Sequence, residues 1–248
     1  MSDSFAEITQ MKAVLDSYRP LSPSVRRELD ERLTVRLTYH STAIEGNTLS
    51  QSETQIVLEK GVTIGGKSLI EHLEVIGHRD ALEFVRALAV GHEGVTERTI
   101  REVHALVMRG QTHVAGGAYR SVNVVAAGTE FRYPDHLRVR ELMEEYVGWW
   151  QSPSPLHPVE WASEAHLRFV TIHPFADGNG RVGRLLLNLA LLRSGYPIAV
   201  IPVTARAEYI SALSQAQNGG SPQSLTDLVL AAVRNSLRET LDVCETAG

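Results

Sequence analysis

His173-Pro174-Phe175-Ala176-Asp177-Gly178-Asn179-Gly180-Arg181-Val182-Gly183-Arg184 decides how this chain is read. It packs an imidazole, a carboxylate, an amide, glycines and two arginines between apolar periodic segments. The pattern predicts a turn that feeds a helix over residues 180–194. On that helix Arg181 and Arg184 lie three apart and share a face. A helix N-terminus offers unsatisfied N–H groups and the positive end of the dipole, which suit phosphate oxygens. Glycines let the backbone approach those oxygens closely. Asp177 is a hard oxygen ligand of the kind Mg²⁺ takes alongside substrate phosphates. His173 can be neutral near pH 7 and can accept a proton from an attacking hydroxyl. Pro174 ends the preceding helix and frees Phe175 to plug into the core.

The set points to a polyphosphate and a metal. A P-loop would need a Gly-Lys-Ser/Thr ending, and there is no lysine here. An EF-hand loop counted from Asp177 would want Glu at its twelfth position, which is Asn188. A Gly-rich turn between packed helices, with solvated arginines, is the plainer alternative. It explains any one of these residues better than it explains all of them.

Outward from the motif, helical spacing dominates. Ile8, Met11, Leu15 and Tyr18 mark a helix over 6–19, stopped by Pro20. Ser22-Pro23 starts the next, which runs to Ile44 and stops at Gly46-Asn47. Ser50 with Glu53 forms a capping-box signature for a helix ending at Lys60-Gly61. Further helices are predicted over 69–90, 96–108, from Pro134 to Trp150, and over 158–172, 205–217 and 222–242. The middle differs. Gly116 to Val125 is β-branched, Ala127-Gly128-Thr129 supplies a turn, and Phe131 and Tyr133 follow, so a short hairpin is predicted over 118–133. The fold class is all-α with one small hairpin.

Composition fits an ordinary globule. The chain has 248 residues, 43% hydrophobic and 21% charged, enough for a sizeable core. A net charge of −5 argues against bulk nucleic-acid binding. A single cysteine, Cys244, allows no intramolecular disulfide. There is no signal-peptide pattern and no apolar run of membrane-spanning length, so no membrane partner and a cytoplasmic location are expected.

Ser41-Thr42-Ala43-Ile44-Glu45-Gly46-Asn47 is the second notable stretch. Ser41 and Glu45, four apart, share a helical face. A solvated polar face before a Gly/Asn stop accounts for it. A carboxylate at a helix C-terminus is mildly disfavoured by the dipole, however, and asks for a partner.

His173 to Arg184 matches in full the His-Pro-Phe-x-Asp/Glu-Gly-Asn-Gly-Arg-x-x-Arg signature of Fic-domain proteins. The resemblance extends over roughly residues 35–215. It implies an all-α Fic fold, a helical bundle with a small β-hairpin flap, and AMP transfer from ATP to a Ser, Thr or Tyr hydroxyl of a protein, including itself. By resemblance His173 is the general base and Asp177 the Mg²⁺ ligand. Gly178, Asn179 and Gly180 line the nucleotide site, with Asn179 and Gly180 on the α-phosphate. Arg181 and Arg184 hold the β- and γ-phosphates. The Gly-Asn-Gly-Arg run sets the chain apart from the phosphorylating Doc branch.

The Ser41 to Asn47 stretch resembles the Ser/Thr-x-x-x-Glu-Gly/Asn inhibitory motif, in the arrangement where it precedes the catalytic motif. That implies a bidentate pair between Glu45 and Arg184 that occupies the γ-phosphate position. In relatives of this kind the Glu can also support AMP removal, so a de-AMPylating or bifunctional enzyme is one alternative. A nucleotide-binding regulatory module with little turnover is another. The hairpin matches the Fic flap, with Thr129 and Glu130 near a bound target. The resemblance also divides the chain into N-terminal helices with the inhibitory helix (1–60), the catalytic core (61–220) and a C-terminal helix and tail (221–248), and allows a homodimer. Arg120 reads as structural and His166 as a core histidine. Arg206 and Tyr209 border the adenine or merely pack.

Overall fold

The computed structural model describes residues 2–91, 94–111, 114–125 and 131–247. Ten α-helices run through them: α1 (Ser2–Ser17), α2 (Pro23–Ile44), α3 (Gln51–Lys60), α4 (Leu69–Val90), α5 (Glu97–Val107), α6 (Val139–Gln151), α7 (Pro158–Ile172), α8 (Asn179–Arg193), α9 (Arg206–Gln217) and α10 (Gln223–Ala247). Short 3₁₀ turns at His136–Arg138 and Val203–Ala205 precede α6 and α9.

Local chemistry sets most boundaries. Pro23 and Pro158 stand in the first turns of α2 and α7, where a missing N–H costs nothing. Ser50 with Glu53, and Ser68 with Glu71, form reciprocal capping boxes at α3 and α4. Gly61 ends α3 in the left-handed conformation.

α8 is the central element. From Asn179 to Leu191 every residue but Gly180 is buried. α7 packs along it, and α4, α5 and α2 close its other sides. Asn188, polar yet 1% exposed, donates to the carbonyls of Arg184 and Ala199 and accepts from the Ala199 N–H. It thereby ties α8 to the chain that follows it. One apolar core extends from Ile8 on α1 to Cys244 on α10. No helix among the described residues is long and apolar enough to cross a membrane.

Two expectations need correction. The hairpin is not seen: residues 118–125 and 131–135 form no strand ladder. Their polar groups are engaged elsewhere. The Arg120 N–H donates to the Pro174 carbonyl, and Asn123 accepts from the His136 N–H and donates to Asp135. Thr129 and Glu130 lie outside the described residues. Nor does Pro134 open a helix. Asp135 caps the 3₁₀ turn and α6 begins at Val139, while the Pro134 carbonyl accepts from Arg120.

Candidate active site

The site begins where α7 stops. His173 caps that helix at φ 52°, ψ 58°, the one non-glycine residue with positive φ among those described. Such a conformation costs about 1–3 kcal/mol and needs support from its surroundings. Arg120 supplies it: Nε donates to the His173 carbonyl (2.8 Å), Nη1 to Val122 and Nη2 to Pro134. Tyr133 stacks on the imidazole at 3.9 Å. His173 Nδ1 lies 3.2 Å from the Val170 carbonyl, which can only accept. Nδ1 therefore carries the proton, and Nε2 keeps its lone pair. Burial pushes the imidazole down to about 4, so it is neutral at pH 7.

The next turn is stapled by two side chains. Asn179 Oδ1 accepts the Phe175 N–H (2.9 Å) and Nδ2 donates to the Phe175 carbonyl (2.8 Å). The Asn179 amide is thus spent on the loop, which leaves the backbone N–H groups at the start of α8 to face a phosphate there. Phe175, fully buried, stacks on His104 with ring centroids 3.6 Å apart. His104 Nδ1 accepts the Gly117 N–H, so its Nε2–H donates to the Asp177 carbonyl at 3.0 Å. Burial keeps His104 neutral, down to about 4. Sequence reasoning missed His104; its one signal was a polar residue on the apolar face of a strongly amphipathic helix.

Three motif glycines leave no room for a Cβ: Gly183, where it would stand 2.8 Å from both His166 Nδ1 and Val170 Cγ1, and Gly178 and Gly180. Gly178 has φ 78°, and a Cβ there would stand 2.8 Å from Met108 Sδ. A Cβ on Gly180 would collide with Glu45 Oε1. The Glu45 carboxylate therefore lies directly over the first turn of α8.

Glu45 reaches this place from the C-terminal end of α2. Oε1 accepts from Arg184 Nη2 at 2.8 Å. The contact runs through this single oxygen, so the expected bidentate pair is not formed. Ser41 fills the difference: its Oγ accepts from Arg184 Nε (3.0 Å) and its carbonyl from Nη2 (2.7 Å). Arg184 is 3% exposed, with Tyr209 against its far side. Tyr209 in turn bonds His166 at 2.7 Å. Arg206 Nε donates to the Ile44 carbonyl and clasps the end of α2.

These residues share one cleft of ≈ 350 Å³, lined by Glu45, Tyr133, His173, Asp177, Gly178, Asn179, Gly180, Arg184, Arg206 and Tyr209 among others. Arg181 is not part of its wall. A larger groove of ≈ 590 Å³, lined by Leu15, Leu29, Leu33 and Tyr196, holds none of the motif. No group of three or more His, Cys, Asp or Glu among the described residues could cage a metal. Asp177, half exposed at the cleft wall, suits Mg²⁺ shared with phosphates, which needs only one or two carboxylates.

The Fic/DOC family model matches residues 94–191. A solved Fic-1 fragment from Caenorhabditis elegans superposes over the whole chain with a TM-score of 0.89 at 32% identity, and the match covers 73% of that fragment. The chain belongs to the Fic/DOC family. A Fic domain containing signaling protein from Bacteroides thetaiotaomicron is similar over 96% of this chain and 97% of its own, with a TM-score of 0.89 and 29% identity. The protein adenylyltransferase fic-1 of C. elegans is 40% identical over 202 residues, 80% of this Fic chain. This chain spans only 39% of that relative and 43% of a Drosophila willistoni protein adenylyltransferase Fic.

Proposed function

We propose that this chain is an autoinhibited protein adenylyltransferase that moves AMP from ATP to a Ser, Thr or Tyr hydroxyl of a protein, itself included. One observation carries the reading. A neutral imidazole with a bare Nε2, the N-terminus of α8 and a buried arginine open onto one cleft, and Glu45 occupies part of it. The names of the nematode and fly relatives agree with it.

In this reading backbone N–H groups of Asn179 and Gly180 receive the α-phosphate. His173 Nε2 takes the hydroxyl proton as its oxygen attacks the α-phosphorus. The new P–O bond forms while the bond to the β-phosphate oxygen breaks, and pyrophosphate departs. Mg²⁺ held by Asp177 and the phosphates would neutralise charge on the leaving group. Arg184 binds the γ-phosphate only when Glu45 releases it, because one guanidinium edge cannot serve both.

The test compares wild type, Glu45→Gly and His173→Ala with α-³²P-ATP and Mg²⁺. Labelling should rise in Glu45→Gly and vanish in Glu45→Gly/His173→Ala. Equal labelling of wild type and Glu45→Gly would remove the brake from the reading. ATP binding without transfer in any variant would make the chain a regulatory module. A second reading rests on the Glu45 carboxylate itself, 40% exposed in the cleft that holds His173. There it can orient a water toward an AMP–protein bond. Glu45-dependent loss of label from a pre-modified target would identify that hydrolase activity.

A further inference from the structure

Arg181 stands apart from the cleft. Its side chain is 3% exposed, behind the loop rather than on the cleft wall. Nη1 lies 3.4 Å from Glu74 Oε1 on α4, and Nη2 lies 3.5 Å from Asp177 Oδ1 and 3.8 Å from Met108 Sδ. Asp177 Oδ1 also accepts the Gly178 N–H, at 2.5 Å. The Asp177 side chain nevertheless stays 48% exposed, on the cleft wall.

Glu74 is the hub behind this arrangement. Oε1 also accepts from Gln111 Nε2 (3.2 Å), and Oε2 accepts from Asn47 Nδ2 (2.9 Å). Asn47 stands two residues after Glu45. One carboxylate thus braces the catalytic loop, through Arg181, and the inhibitory segment, through Asn47.

We propose that Arg181 is a positioning residue for Asp177, anchored by Glu74, and makes no direct contact with the nucleotide phosphates. The inference rests on the ATP reading above. The physical reason is charge sharing. A buried guanidinium needs a counter-ion. With Glu74 supplying one, Arg181 can orient Asp177 without capturing its charge, and Asp177 keeps its affinity for a cation. Partners of this kind, one bond removed from a metal ligand, typically contribute about 10–100-fold to metal affinity.

The experiment is ATP titration by calorimetry in the Glu45→Gly chain, once in EDTA and once in Mg²⁺. Arg181→Gln should leave the EDTA affinity within about twofold and cut the gain from Mg²⁺ about tenfold, as Asp177→Asn does. Added to Asp177→Asn, it should change nothing further. The double variant Glu74→Gln/Arg181→Gln removes the pair at both ends and should repeat the result without leaving an unpaired charge. A loss in EDTA as large as that in Mg²⁺ would mean that Arg181 touches phosphate, and would overturn the proposal. An undiminished Mg²⁺ gain would overturn it as well. Failure of the Glu45→Gly chain to bind ATP in either buffer would end the ATP reading itself, and this inference with it.

Discussion

Glu45 and Arg184 stand 139 residues apart and meet at 2.8 Å, the carboxylate reaching over the first turn of the helix that carries the arginine. Ser41 shares the grip through its hydroxyl and its carbonyl. In the proposed autoinhibited state the brake would therefore be a two-residue clamp. Ser41→Ala should leave the buried Arg184 Nε without its hydroxyl partner, at about 1–3 kcal/mol. Basal labelling from α-³²P-ATP should rise, but less than in Glu45→Gly, and the melting temperature should fall. Unchanged labelling and unchanged melting together would show that Ser41 contributes nothing.

Asn179 predicts a different phenotype. Its amide satisfies both backbone groups of the fully buried Phe175. Asn179→Ala should cost about 2–4 kcal/mol in urea unfolding, since two buried polar groups lose their partners. If the amide chiefly binds phosphate instead, stability would hold while ATP affinity fell.

Arg120 holds three carbonyls with one fork, among them that of the strained His173. Arg120→Lys keeps the charge but cannot reproduce that geometry. In the Glu45→Gly background, transfer should drop by about 10²-fold, the scale expected when a reacting group is misplaced by about 1 Å. ATP affinity should change little. A parallel loss of ATP binding would contradict the assignment.

Buried neutral histidines set the acid limit of the fold. His104, His166 and His173 are lowered to about 4 and His78 to about 3, all chiefly by burial. Their folded pKa values lie below the unfolded value near 6.5, so the unfolded chain binds more protons between those limits. The stability they contribute is complete above pH 6.5 and is lost as pH falls toward 4. Each adds at most about 1.4 kcal/mol per pH unit within its window. Urea midpoints should hold steady above pH 7 with respect to these groups and decline from pH 6.5 to 5. A midpoint that rose on acidification would refute this.

The helices were readable because their ends carry local chemistry. Ser50 with Glu53, Ser22 with Pro23 and Pro158 each act within a few residues of themselves. The His173–Arg184 motif carries its chemistry within twelve residues in the same way, whereas the inhibitory reading of Ser41 to Asn47 came from its resemblance to the Fic motif; locally the dipole argument asked only for some partner of Glu45. What stayed hidden depends on contacts across the chain. His104 reaches Asp177 from 73 positions away, and Glu74 reaches Arg181 from 107. Nothing local to either residue announces its partner. The β-branched run 122–125 misled for a related reason. Propensity favours a strand there, but the bonds of Arg120 and Asn123 commit the segment to the catalytic loop and the α6 approach.

The anchoring of Ile44 bears on how fast Arg184 can change hands. Ile44 is 1% exposed, and its carbonyl is held by Arg206. The backbone immediately before Glu45 is thus fixed in the core, and the carboxylate can leave by side-chain rotation alone. Rotamer exchange of accessible side chains takes picoseconds to nanoseconds, whereas helix displacement takes microseconds or longer. Competition between carboxylate and nucleotide should then be a rapid pre-equilibrium. Progress curves would start without a lag, and the nucleotide concentration, not a slow rearrangement, would set the initial rate.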